Sequence, residues 1–420
     1  MSQTRPRIRA RLRAMSPRAL IAAMCVAEAV GMLGFSTFPA LLPVFLAEWQ
    51  LSGTEAGLLS GLFFAGYMFA VPLLTGLTDR LDARRVYVFS ALLTGAATLA
   101  FALVARDFWS AAPLRLLAGA GLAGTYMPGL RALTDRLPEA AHPRAVSFYT
   151  ASFGVGASAS YLFAGLVVDW LGWRWAFGLS VLGTFAGLAI VLTLLRPQPA
   201  PDNPPAWRAI LDFRPVLRNR EAMAYILAYA GHNWELFGFR SWIVAFLAFS
   251  LVLTPDPLAA VLTGTAVAAV VNLLGLPSSV LGNELATKFD RRTVVSVIMG
   301  ASAVLGCVVG FAAGLPYLLV VLLLMLYGIT VTGESASVTT GTVLAADPQR
   351  KGAAMALHSF LGFAFAFLGS MMPGVVLDLA GGTQDATAWV LAFVCMALGA
   401  AVGPLLVLSL ARRRVRVLAG

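Results

Sequence analysis

The feature that most constrains this chain is its train of apolar runs, each about 20 residues long, the length that crosses a bilayer as a helix. Twelve such runs can be placed. The first half gives 19–46, 55–77, 86–105, 109–133, 146–168 and 175–195, and the second gives 222–249, 257–283, 293–312, 316–344, 353–378 and 385–409. In hydrocarbon each backbone N–H and C=O must find its partner inside the protein, so runs of this kind become helices. Composition agrees, with 59% hydrophobic and 12% charged residues, against about 25% charged in soluble domains. The chain is therefore expected to be an all-α, multi-pass protein of the lipid bilayer.

Local signals sharpen some boundaries. Ser52 with Glu55 three residues on reads as a capping box for the second helix. Pro17 suits the start of the first helix and Pro316 the start of the tenth. The longest polar interval, 196–221, holds five prolines between Pro197 and Pro205 and separates six runs from six. This predicts two six-helix bundles, 1–195 and 222–420, joined by a linker at 196–221 with a short surface helix around Trp207–Phe213.

Lysine and arginine fix the expected orientation. With both ends inside, 26 of the 30 fall on the cytoplasmic side and only Arg106 and Arg174 on the other, a strong positive-inside bias. The Arg-rich start precedes an apolar stretch too long for a signal h-region, so it reads as a signal anchor. The formal charge of +10 is then a topological signal, and no nucleic-acid partner is implied. Cys25, Cys307 and Cys395 lie in apolar runs without metal-ligand spacing and read as packing residues, so no metal site and no cofactor is expected. Gly119-Ala120-Gly121-Leu122-Ala123-Gly124 is a poor dinucleotide motif inside an apolar run, and no nucleophile constellation suggests an enzyme.

Between the second and third runs lies a charged knot, Thr75–Arg85, with Asp79, Arg80, Asp82, Arg84 and Arg85. A degraded copy follows at 282–292, with Lys288, Asp290, Arg291 and Arg292. Two copies about 200 residues apart suggest two related halves, as in transporters built from internal repeats. The repeated loop, the six-plus-six division and the linker together resemble the major facilitator superfamily. Asp79 and Arg80 match the acidic-basic core of that family's loop, whereas Asp82 stands where a glycine is usual. Arg115 to Gly121 resembles the family's fourth-helix signature, and Gly165–Phe177 its fifth-helix end and turn. Ser152 to Ser160 has the glycines of a drug-antiporter fifth helix but lacks its proline. The resemblance implies alternating access in a bacterial inner membrane by a monomer, with Asp79, Arg80, Arg84, Arg85, Lys288, Arg291 and Arg292 controlling the switch.

Charged side chains are costly in hydrocarbon and mark functional interiors. Glu28, Arg115, His232, Glu235, Arg240 and Glu334 fall on runs one, four, seven and ten, with His358 on run eleven. His232 and Glu235 are three residues apart, so one helix face presents both. An imidazole changes charge near neutral pH, so this pair is the first candidate for proton coupling, with Glu28 and Glu334 beside it. A static polar lock between helices is the competing account. Arg115 and Arg240 suit an anionic solute, although Arg115 equally suits holding helix four to a neighbouring backbone or to Glu28. Tyr229, Trp234 and His358 complete the candidate solute wall. The expected function is proton-coupled transport of a small polar, anionic solute. The alternatives are proton-driven export of amphipathic compounds and a non-transporting sensor or lipid-binding protein.

Overall fold

The computed structural model describes residues 15–200 and 212–410, and all regular structure among them is helical. The first part comprises α1 (Pro17–Gly31), α2 (Thr37–Ala40), α3 (Leu42–Glu48), α4 (Gly53–Leu77), α5 (Ala83–Val104), α6 (Phe108–Leu122), α7 (Tyr126–Thr134), α8 (His142–Leu171) and α9 (Trp173–Leu194). The second comprises α10 (Arg214–Arg218), α11 (Arg220–Leu253), α12 (Gly264–Lys288), α13 (Arg291–Gly310), α14 (Tyr317–Gly333), α15 (Ser335–Ala345), α16 (Lys351–Leu379) and α17 (Ala386–Leu410). Eleven helical segments among the described residues are long and apolar enough to cross a membrane. The expected surface helix at Trp207–Phe213 falls mostly on residues 201–211, outside the described residues.

The fourth expected run, 109–133, is broken into α6 and α7, which hold 15 and 9 residues. Pro128, whose ring cannot pack over the Gly124 carbonyl in a continuous helix, and close packing together explain the break. A Cβ on Gly124 would collide with the Ser90 hydroxyl, and one on Gly119 with the Phe63 carbonyl, so the chain is pressed against α5 and α4 on either side of Ala123. The first run is likewise divided into α1, a 3₁₀ turn, α2 and α3. Pro39 and Pro43 lack the amide that would continue the helix. The tenth run breaks at Glu334, between α14 and α15.

Sequence-level cap signals are realised. Ser52 and Glu55 form the reciprocal capping box of α4, and Pro17 opens α1 under a Ser16 cap. The eighth run departs from 257–283: Asp256 caps a 3₁₀ turn at Pro257–Ala260, and Thr263 caps the helix proper, which continues to Lys288.

The faces of the bundle differ. On one, hereafter the linker face, the loop after α4, the loop after α7 and residues 196–198 meet: Arg136 donates to Asp82 and to the Arg196 carbonyl, and the Gln198 amide donates to Asp82. On the opposite face α4 lies directly on α16. A Cβ on Gly53, Gly57 or Gly61 would stand 2.6, 2.8 or 2.7 Å from the carbonyls of Gly374, Met371 and Phe367. Small residues permit such backbone approach. The same face is fastened by Asp378, whose two carboxylate oxygens accept from the Gly53 and Thr54 amides at 2.7 Å each, at the positive end of α4.

Candidate functional site

Toward the linker face α4 and α16 part, leaving a cleft of about 530 Å³, a size usual for small-molecule sites. Val71, Thr75, Met127, Met355 and Ser359 wall it, and Asp79, Arg131 and Arg350 line it too. Its polar groups thus come from the helix ends and its walls are mostly apolar.

The ionisable groups form three clusters, the third of which lines this cleft. In the first, Glu28 is buried and Tyr149 donates to its Oε2 at 2.9 Å. Among the described residues Glu28 Oε1 has no hydrogen-bond partner. Arg115, proposed from sequence for the solute or for Glu28, meets neither: its Nε donates to the Leu59 carbonyl at 3.1 Å, and its guanidinium lies 4.9 and 4.7 Å from the ring centres of Phe38 and Phe63. It joins α6 to α4, one of the two structural uses open from sequence. The guanidinium's delocalised charge suits a seat between rings.

In the second cluster the expected pairing of His232 with Glu235 is replaced. His232 Nδ1 bonds Glu334 Oε1 at 2.8 Å, joining α11 to the break in the tenth run. Glu235 turns instead to α13 and α14, accepting from Ser302 at 3.0 Å and Tyr327 at 2.9 Å. Residues three apart share a helix face only within about 60°, enough here for different neighbours to claim each. Glu235 Oε2 and Glu334 Oε2 have no hydrogen-bond partner among the described residues. A row of rings extends the cluster: Tyr229 stacks on His358 at 3.7 Å and lies 5.8 Å from His232, and His358 Nδ1 is 3.2 Å from the Thr342 hydroxyl. Trp234, expected in the solute wall, faces elsewhere. Its indole donates to the Cys395 carbonyl at 2.8 Å, and its side chain and backbone fill the space beside Gly399 and Gly369. It binds helices together. The Arg240 guanidinium lies over Phe237, 5.6 Å from the ring centre, while the Arg240 carbonyl accepts from Tyr161.

The third cluster is the charged loop at the cleft mouth. Asp79 pairs with Arg131 on α7. Arg84 reaches the Leu192 carbonyl, and Arg85 is exposed. Asp82, the departure from the usual glycine, caps α5 and takes two oxygens' worth of contact from Arg136, at 2.9 and 3.0 Å. Burial alone would raise the Asp82 carboxyl, but Arg136 and the amides of Gln198 and Arg84 outweigh it and hold it below its ordinary range. Arg80 lies in the same loop, partly buried. In the second copy Asp290 caps α13 through Thr293, Arg291 donates to Asn283 and the Ser337 carbonyl, Lys288 is exposed and Arg292 is partly buried.

Sequence reasoning missed Arg131, Arg136, Tyr149, Ser302, Tyr327 and Asp378 as partners. Arg131 and Arg136 carried a signal, since both stand at the end of a run on the face of the Asp79 loop. The hydroxyls carried none, because serine and tyrosine inside an apolar run are unremarkable there.

Spanning helices, a cleft open to one face and buried ionisable groups define an all-helical membrane protein. The chain belongs to the Major Facilitator Superfamily, whose family model matches residues 24–370. Among curated relatives it is 24% identical over 290 residues to protein spinster homolog 1 of Homo sapiens, covering 65% of this chain and 54% of that one. It is also 24% identical over 353 residues to the sphingosine-1-phosphate transporter SPNS2 of Xenopus tropicalis, covering 79% and 68%. The chain spans 30%, 54% and 38% of the length of the first three curated relatives it matches. Among solved structures it superimposes on a point mutant of the nucleoside transporter NupG with a TM-score of 0.78 at 14% identity, over 94% of this chain and 100% of that one. A bacterial homologue of the human lysosomal transporter Spinster, inward-facing and unoccupied, gives 0.67 at 16% identity over 94% and 95%.

Proposed function

We propose that this chain is a proton-coupled secondary transporter that carries a small organic solute with an anionic or polar end by alternating access. Bundles 1–195 and 222–420 rock about the 196–221 linker, within a bacterial inner membrane, as a monomer with both termini cytoplasmic. The linker face is then the cytoplasmic one and the cleft is an inward-open path. The observation that carries this reading is the buried His232–Glu334 contact at 2.8 Å, an ionisable pair at a helix break. A proton can pass between imidazole and carboxylate without leaving a lone charge in the interior. Glu28 and Glu235 are further proton acceptors. His358, through Tyr229, continues the row toward Ser359 in the cleft wall. Arg131 and Arg350 take over the role of solute-facing cations from Arg115, and Arg240 backs the deeper rings.

The Asp79–Arg131 pair and the Arg291 contacts, with Arg80, Arg84, Arg85, Lys288 and Arg292 around them, break and reform as the linker face closes. Asp378 releases the α4 amides as the other face opens. A ligand can only shift such an equilibrium by its differential affinity for the two states. A second reading, proton-driven export of amphipathic compounds, is favoured by the apolar cleft walls and by the lipid-like cargo in the names of the spinster relatives.

The test is flux in proteoliposomes under an imposed pH gradient, with organic anions, lipophilic cations and nucleosides offered separately. Proton movement that tracks solute movement is expected. Flux indifferent to the gradient would sink the coupling, and competition by lipophilic cations alone would turn the reading to the second one.

A further inference from the structure

We infer that Tyr67 and Phe363 form a ring gate at the blind end of the cleft, and that it selects solutes whose apolar part is aromatic. Along α4 and the turn that follows it the cleft is lined at four-residue spacing by Asp79, Thr75 and Val71. The next residue of that row, one turn deeper, is Tyr67. On α16 the lining row is Met355 and Ser359, and the next residue is Phe363. The two rows converge. The rings of Tyr67 and Phe363 have centroids 3.9 Å apart at 31°. Behind them Phe64 meets Phe237 at 4.3 Å, and Phe237 lies 6.2 Å from Phe363.

Beyond the rings there is nowhere to go, because Gly61, Gly57 and Gly53 bring the α4 backbone onto α16. The end wall of the cleft is thus made of ring faces and edges. A solute that moves inward must replace the Tyr67–Phe363 contact. A saturated body replaces it by area alone, whereas an aromatic body restores the ring–ring geometry as well, a preference of about tenfold. Positive charge sits at both ends of this path. Arg240 lies over Phe237 at the deep end, and Arg131 and Arg350 line the outer part. An aromatic organic anion therefore fits with its ring inward and its anionic group toward the mouth.

This inference rests on the cleft being the solute site, and its test is separable from proton coupling. Purified protein is titrated with naphthalene-2-carboxylate and with its saturated counterpart, decahydronaphthalene-2-carboxylate, by calorimetry at constant pH. The wild type is expected to bind the aromatic acid about tenfold more tightly. F363L should bring the two acids to within about twofold of one another, and F363W should restore the preference. Equal affinity for both acids in the wild type, binding of neither, or a ratio unmoved in F363L overturns the ring gate. A preserved ratio in protein whose vesicle flux ignores the pH gradient would sink the coupling and leave the ring gate standing.

Discussion

Glu28 and Glu334 are both buried acids beside a broken helix, yet their partners differ in kind. Glu28 is held by the neutral Tyr149 hydroxyl, next to the gap between α6 and α7. Glu334 is itself the residue at the gap between α14 and α15, and its partner is the ionisable His232. A second acid, Glu235, stands near by with two hydroxyl donors. In the first region a proton that leaves Glu28 leaves a carboxylate with no cation in salt-bridge reach among the described residues. In the second, it can move to the neighbouring imidazole and the pair stays neutral overall. The lesson is that burial alone does not make a proton carrier; the neighbour decides whether charge can be held in the interior.

The largest expected effect tests this directly. In E334Q the imidazole loses its ionisable partner, which costs about 3 kcal/mol and lowers gradient-driven flux about a hundredfold. E28Q keeps a carbonyl oxygen for Tyr149 and should lower it by only about fivefold, the roughly 1 kcal/mol by which a hydrogen bond to a charged group exceeds one to a neutral group. Flux in proteoliposomes at matched protein content decides, and an E28Q defect as deep as that of E334Q would break the comparison.

A second contrast lies in the two charged loops. Asp82 and Asp290 each cap the helix that follows, but Asp82 also takes Arg136 and the Gln198 amide. D82N should cost about 2 kcal/mol, as loss of charged hydrogen bonds does, and D290N only a few tenths, since asparagine caps nearly as well. The Asp82 carboxyl is held below its ordinary range, so its stabilising effect is full above the unfolded value of about 4. It is lost as pH falls through the lower folded value. The gap in melting temperature between wild type and D82N should therefore close as pH falls below about 4, while that for D290N stays small throughout.

These loops also show what a single sequence discloses. Spacing and caps made the helices legible: Ser52, Glu55 and Pro17 act as read, and the apolar runs become spanning segments. Breaks were only partly legible: Gly124 and Pro128 mark the gap at Ala123–Thr125 locally, whereas the contact with α5 and α4 that accompanies it is not written in the run itself. Pairing failed for the same reason. His232 and Glu235 are neighbours along the helix, but the partner of His232 lies 102 residues on, and no periodicity reports the rotation of one helix against another. Asp79 stands out in its loop by charge alone, and its cation lies 52 residues on, on α7. Asp82 was noticed only as a departure from a pattern, and it turned out to tie three segments together.

The smallest expected effect concerns hydroxyl protons. Tyr149 lies 2.9 Å from Glu28 Oε2 and 3.3 Å from the Thr125 carbonyl, but a phenol has a single hydrogen to donate. With Glu28 ionised, that hydrogen goes to the carboxylate. With Glu28 protonated, the acid can donate to the phenol oxygen and release the phenol hydrogen for Thr125, beside the break in the fourth run. Among the described residues Tyr327 has no second acceptor of this kind, and its acid keeps Ser302 as another donor. Tyr149→Phe should therefore destabilise the protein by about 1 kcal/mol and Tyr327→Phe by about half as much, measured by thermal unfolding in detergent. The two should also differ in pH response, since only the Tyr149 contact changes sides with the proton on Glu28. Equal losses with parallel pH profiles would mean that the two acids are held alike, and the distinction between the regions would then rest on His232 alone.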